Sequence, residues 1–120
     1  MRVRGTFLFA GLMALAGLAS AQGNWPEPNR PIKVIVGFAA GGGADASARL
    51  VTRKMGEILG TTFVIDNRGG AGGLPATGAA ADAKPDGYTL LWGSIGAFAF
   101  SPALGVKLSY DPLTGSRRSR

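Results

Sequence analysis

The segment Phe38-Ala-Ala-Gly-Gly-Gly-Ala-Asp45 sets three consecutive glycines between an apolar run and a stretch of helical periodicity, and few folds accommodate that. Upstream, Ile32-Lys-Val-Ile-Val36 is β-branched and nearly all apolar, as expected of a strand covered on both faces of a parallel sheet. Downstream, Ala48, Val51, Met55, Ile58 and Leu59 recur at three- and four-residue spacing and predict the buried face of an amphipathic helix. Arg49, Arg53, Lys54 and Glu57 take the solvent side, and Gly60 ends the helix. A glycine turn that opens a helix after a buried strand directs unpaired N–H groups and the positive end of the helix dipole into one small volume. Such a volume favours phosphate or carboxylate.

The same alternation continues along the chain. Thr62-Phe-Val-Ile-Asp66 predicts a second strand, followed by the glycine-rich loop Asn67-Arg-Gly-Gly-Ala-Gly-Gly73. Residues 74–83 are alanine-rich and compatible with a helix whose first turn tolerates Pro75. Lys84-Pro-Asp-Gly87 is a turn signal, Tyr88-Thr-Leu-Leu-Trp92 a third strand, and Gly93-Ser-Ile-Gly96 a third small-residue loop. A helix beginning at Ala97 meets Pro102. The fold class is therefore α/β, in the order β-α-β-α-β. Right-handed parallel connections gather the three loops at the carboxyl edge of the sheet, where open α/β sheets bind ligands.

At the amino end, Arg2 and Arg4 precede an apolar stretch and the small residues Ala19-Ser-Ala21, the pattern of a secretory signal peptide over residues 1–21 cleaved after Ala21. The expected location of the mature chain is outside the cytoplasm. The net charge of +6 suggests a nucleic-acid partner, but its distribution argues otherwise. Arg2 and Arg4 leave with the signal, and Arg117, Arg118 and Arg120 crowd the last four residues. Residues 22–113 carry eight basic side chains against seven acidic ones, with no clustered basic face. Cysteine and histidine are both absent, which removes disulfides, thiolate and histidine-dependent nucleophiles, and zinc sites built on either residue. No metal or cofactor is expected, and the chain reads as one that binds rather than transforms.

Five motifs in order resemble the substrate-binding receptors of tripartite tricarboxylate transporters, the Bug or TctC type, over residues 25–113. They are Pro31-Ile-Lys-Val-Ile-Val-Gly-Phe38, Gly41-Gly-Gly-Ala-Asp45, Asp66-Asn-Arg-Gly-Gly-Ala-Gly-Gly73, Lys84-Pro-Asp-Gly-Tyr-Thr-Leu-Leu91 and Tyr110-Asp-Pro-Leu113. The resemblance implies a two-lobed periplasmic binding protein of type II, of which residues 22–113 form the amino-terminal part of an incomplete first lobe. It implies a monomeric receptor that takes a small organic carboxylate, such as a di- or tricarboxylate or an acidic amino acid, and delivers it to a membrane permease. By matching motif, Phe38, Ala39, Gly42, Gly43 and Asp45 fall in the first ligand loop, Gly72 and Gly73 in the second, and Ser94 in the third. Ala40 and Ala44 stand where the family often has Pro and Thr, Gly70 where it often has Pro, and Leu74-Pro-Ala76 replaces a common Asn-Ile-Gly.

Each position also has a plainer reading. A carboxylate beside an anion site repels the ligand, so Asp45 is expected to cap the helix and fix the loop, or merely to cap it. Gly41 to Gly43 also make a tight turn, Asn67 suits a turn, Arg68 is either a counter-ion or solvated, and Trp92, Phe98 and Phe100 are expected to be core or lobe-packing residues rather than a stacking platform. Beyond Leu113 the chain turns to Thr-Gly-Ser-Arg-Arg-Ser-Arg120, unlike the family, and residues 114–120 are expected to be a non-family tail of a truncated or frameshifted receptor. With an incomplete sheet the chain alone is expected to be of marginal stability. The alternatives are an inactive remnant of such a receptor, or a phosphate-binding α/β enzyme. Against the latter, Gly41-Gly-Gly43 matches neither the dinucleotide nor the P-loop glycine pattern.

Overall fold

The computed structural model describes residues 24–115. The expected signal segment over residues 1–21 and the last five residues of the basic tail lie outside that range. Strand β1 spans Ile32–Val36, helix α1 Gly43–Leu59 and strand β2 Phe63–Asn67. A single 3-10 turn, Ala71–Gly73, runs into helix α2, Leu74–Ala81. Strand β3 spans Thr89–Trp92, and a π-helical turn over Gly96–Phe100 leads into the short helix α3, Ser101–Ala103.

The sheet has the order β2-β1-β3, and both pairings are parallel. Val34 lies opposite Ile65 on one side and Leu90 on the other, and Val36 opposite Asn67 and Trp92. Parallel strands cannot be joined by hairpins, so each connection crosses over through a helix. The chain steps from the central β1 to β2 and then back past β1 to β3, which with right-handed crossovers puts α1 and α2 on opposite faces. The packing agrees. Val34 and Val36 bury against Ala48 of α1 with Phe63, Ile65, Leu90 and Trp92 around them. On the other face Gly37 is pressed so close to α2 that an added Cβ would meet Ala76 at 3.5 Å and the Gly73 backbone at 3.3 Å.

The expected α/β class and strand boundaries hold to within a residue. The expected buried face of α1 holds only at Ala48, which is buried, and in part at Met55, which is half-buried. Ile58 is 73% exposed and Val51 and Leu59 are also exposed, whereas the buried residues are Asp45, Ala48 and Thr52. The contact stripe continues to Gly56, where a Cβ would stand 2.8 Å from the Thr61 carbonyl oxygen. Small side chains four residues apart let the helix axis approach the sheet, and the bulk that fills the gap comes from Phe63 and Ile65 on the strand side. Gly60 takes the left-handed conformation (φ 63°) and closes the helix as expected. Pro102 lies in α3 directly after the π-helical turn. Trp92 packs against the core, but Phe98 and Phe100 are 42% and 61% exposed, because the π-helical turn directs Ala97 inward in their place. The Tyr110 hydroxyl then donates to the Ala97 carbonyl at 2.8 Å.

The proline-rich lead is tied to the amino end of the sheet. The Glu27 N–H donates to the Tyr88 hydroxyl at 2.6 Å, while Arg30 bonds Asp86 at 2.6 Å and lies 3.5 Å over the Tyr88 ring. Among the described residues no helix is long and apolar enough to cross a membrane.

Candidate functional site

Loops follow β1, β2 and β3 at the same, carboxyl edge of the sheet, as the alternation of elements predicts. They are bonded to one another. The Arg68 N–H donates to the Val36 carbonyl at 2.8 Å, carrying the β2 ladder into the second loop. Gly69 then lies against the first loop so closely that a Cβ there would meet the Ala39 nitrogen at 2.8 Å and the Phe38 carbonyl carbon at 3.1 Å. The Ser94 hydroxyl donates to the Gly72 carbonyl at 2.9 Å and joins the third loop to the second. Gly37 donates to Trp92 at 3.2 Å and fixes the first loop against the third strand.

The first loop exposes its backbone. Gly41, Gly42 and Gly43 are all exposed and Phe38 is partly so. Gly42 is the N-cap of α1 with extended dihedrals, and the first intrahelical bond is the donation from Ala46 to the Gly42 carbonyl at 2.9 Å. The N–H groups of the turn before it have no carbonyl to bond within the helix and lie at the positive end of its dipole.

Asp45 sits beneath this loop at 4% exposure. It does not bond the helix's own first-turn N–H groups. One carboxylate oxygen accepts from the Gly41 N–H and from Arg49 Nε, both at 2.9 Å, and the other accepts from Asn67 Nδ2 at 2.9 Å. These donors, the Arg49 guanidinium first, hold the Asp45 carboxyl well below the usual carboxylate range. The Asn67 amide also donates to the Phe38 carbonyl at 3.2 Å and accepts from Arg49 at 3.3 Å. The carboxylate thus fixes the loop, and its charge is compensated by Arg49.

A pH dependence follows from this arrangement. The folded pKa of Asp45 lies below its ordinary value of 3.8, so its contribution to stability is fully present above that value and is lost as pH falls below it. Chemical denaturation between about pH 5 and pH 2.5 is expected to show falling stability, with a shallower fall in Asp45→Asn, which has no such group to protonate.

The eight residues assigned from motifs divide in two. Phe38, Ala39, Gly42 and Gly43 lie on the exposed first loop, Gly72 on the second, and half-buried Ser94 on the third. Asp45 and Gly73 are buried with their polar groups engaged internally. The Gly73 N–H donates to the Gly70 carbonyl at 2.9 Å and its carbonyl accepts from Thr77 at 3.0 Å. Arg68, just past the end of β2, pairs with Asp66 of that strand at 3.0 Å. Gly70, where the family often has proline, adopts φ 110°, which proline cannot reach. The sequence reading missed Arg49 and Asn67. Arg49 is four residues from Asp45, a spacing that marks acid–base pairs on one helix face, and Asn67 is brought beside Val36 by the β1–β2 register.

Comparison with known proteins decides the family. The family model of the tripartite tricarboxylate transporter family receptor, TctC, matches residues 47–116. The protein BugT of Bordetella pertussis is 44% identical over 100 residues, covering 83% of this chain and 29% of BugT. The chain belongs to the tripartite tricarboxylate transporter receptor family. Among solved structures, a periplasmic transporter is 48% identical with a TM-score of 0.66, over 71% of this chain and 29% of the other. MatC from Rhodopseudomonas palustris, solved with bound malate, is 44% identical with a TM-score of 0.65, over 72% of this chain and 29% of MatC. The chain thus spans under a third of the length of these relatives. The family is one of receptors, which sets aside the enzyme alternative.

Proposed function

We propose that this chain is the amino-terminal part of the first lobe of a periplasmic receptor for a small organic carboxylate. A di- or tricarboxylate or an acidic amino acid is the ligand class, and a tripartite transporter's membrane permease is the recipient. Residues 1–21 serve as the export signal, residues 22–113 as the receptor portion and residues 114–120 as a tail outside it. The observation that carries the reading is the exposed glycine backbone at the start of α1, held by Asp45, Arg49 and Asn67, at the same sheet edge as the loops after β2 and β3, which Ser94 and Gly72 bond together. Malate bound by a relative of the same fold supports a carboxylate over a phosphate. In this reading the Gly42 and Gly43 backbone meets a ligand carboxylate, the Ser94 hydroxyl joins it by releasing the Gly72 carbonyl, and the Phe38 ring lies beside it. Asp45 and Gly73 shape the loops.

One lobe's loops offer only a few hydrogen bonds, so affinity on the order of millimolar is expected. The test is a titration of the full chain with malate, followed by the backbone amide resonances of Gly42, Gly43 and Ser94. Saturable shifts confined to the three loops support the reading. Their absence at concentrations well above the millimolar range retires it in favour of a chain that does not bind alone.

A further inference from the structure

Asn67 ends β2, the strand beside β1, and its side chain reaches three partners in two other elements. Its Nδ2 donates to the Asp45 carboxylate at 2.9 Å and to the Phe38 carbonyl at 3.2 Å, and its Oδ1 accepts from Arg49 at 3.3 Å. An amide is the one neutral side chain of this length that both donates twice and accepts, so it satisfies a carboxylate, a carbonyl and a guanidinium together. A carboxylate in its place faces Asp45, and an aliphatic side chain leaves Asp45 and the Phe38 carbonyl short of a donor. Because Asp45 in turn holds the Gly41 N–H at 2.9 Å, the strand end is connected through two side chains to both ends of the glycine loop.

We propose that Asn67 is a positioning residue, which sets the backbone of residues 38–43 in the shape in which the Gly41 N–H is held by Asp45 and the N–H groups of Gly42 and Gly43 are left for an anion. The purpose of that shape rests on the carboxylate reading; the clamp itself does not. Asn67 contacts no ligand in this proposal. It acts on the loop by orienting Asp45 and tethering Phe38, while Arg49 cancels the charge that would otherwise oppose an incoming carboxylate.

The clamp is tested without ligand, by amide hydrogen exchange of the full chain. Gly41 reports the loop and Ile35, inside the central strand, reports the sheet. Asn67→Leu is expected to lower the protection of Gly41 about tenfold or more relative to Ile35, the scale of a lost charge-assisted bond. Asn67→Asp carries the second arm. The groups facing this position are Asp45, Arg49 and the Phe38 carbonyl, with its chain neighbours Asp66 and Arg68 paired to each other. At about pH 7 the introduced carboxylate repels Asp45, so Gly41 protection falls. Near pH 5 the like-charge pair takes up a proton, regains one O–H donor and restores protection. A side chain that only fills space gives no such recovery. The proposal is overturned if Gly41 is unprotected in the unsubstituted chain, if Asn67→Leu leaves it unchanged, or if Asn67→Asp does not recover on acidification. Loss of Ile35 protection in both variants also overturns it, by placing Asn67 in the stability of the sheet. A chain that ignores malate while Gly41 behaves as expected retires the carboxylate reading alone.

Discussion

Replacing Gly69 with alanine is expected to cost about 1–3 kcal/mol and to separate the first two loops of the site. The backbone of Gly69 is not in the left-handed region, so the penalty is steric. An added Cβ would stand 2.8 Å from the Ala39 nitrogen and 3.1 Å from the Phe38 carbonyl carbon, and both are main-chain atoms held by neighbouring bonds. Relief therefore requires one loop to move away from the other. Gly93 provides the contrast. A Cβ there would come still closer to its neighbour, 2.5 Å from Phe98 Cε2, but that atom is the edge of a ring that is 42% exposed and free to turn toward solvent. The expected order of destabilisation in urea is Gly69→Ala well above Gly93→Ala, the reverse of what contact distance alone gives. Amide shifts in Gly69→Ala should spread over residues 38–43. A Gly69→Ala chain with unchanged midpoint and unchanged first-loop shifts would falsify the packed-loop account.

The second large effect belongs to the core. Ile32 is fully buried at the start of the central strand, opposite Phe63, and Ile32→Ala is expected to cost about 2–5 kcal/mol. A domain of ordinary stability has only about 5–15 kcal/mol in hand, so the cooperative urea transition should shrink or vanish. Ile58→Ala, which removes as large an apolar side chain at a 73% exposed site of α1, should stay within about 0.5 kcal/mol of the unsubstituted chain. Comparable losses in the two variants would show that α1 packs through its periodic apolar face after all.

That pair of substitutions marks where the sequence was legible and where it was not. Ile32-Lys-Val-Ile-Val36 could be read as a central strand because burial on both faces leaves little room for polar residues, and only Lys33 is exposed. The loop positions followed from the order of elements alone. The face of α1 was misread because hydrophobic periodicity presumes that the helix brings its own bulk to the contact, whereas here Ala48, Thr52 and Gly56 yield space to the strand's Phe63 and Ile65. The role of Asp45 was half legible. That it should fix the loop followed from the cost of a carboxylate near an anion, and the Gly41 N–H is such a bond, but its other donors come from a different strand and from the outer side of its own helix. Arg49 reads in the sequence as part of a solvated helix face with Arg53 and Lys54, and only the fold brings its Nε against a buried oxygen.

The strand order has a consequence for how the chain comes to be folded. β1 is made first, yet its two neighbours pair with it only after stretches of 26 and 52 intervening residues, between Val36 and Phe63 and between Val36 and Thr89. No hairpin can form early to seed the sheet, and loop closure must precede each reward. The middle strand is thus a keystone placed at the start of the arch. Until Trp92 has been synthesised, Val36 and Ile35 have half a sheet at most to enter, so the unit assembles all together and late.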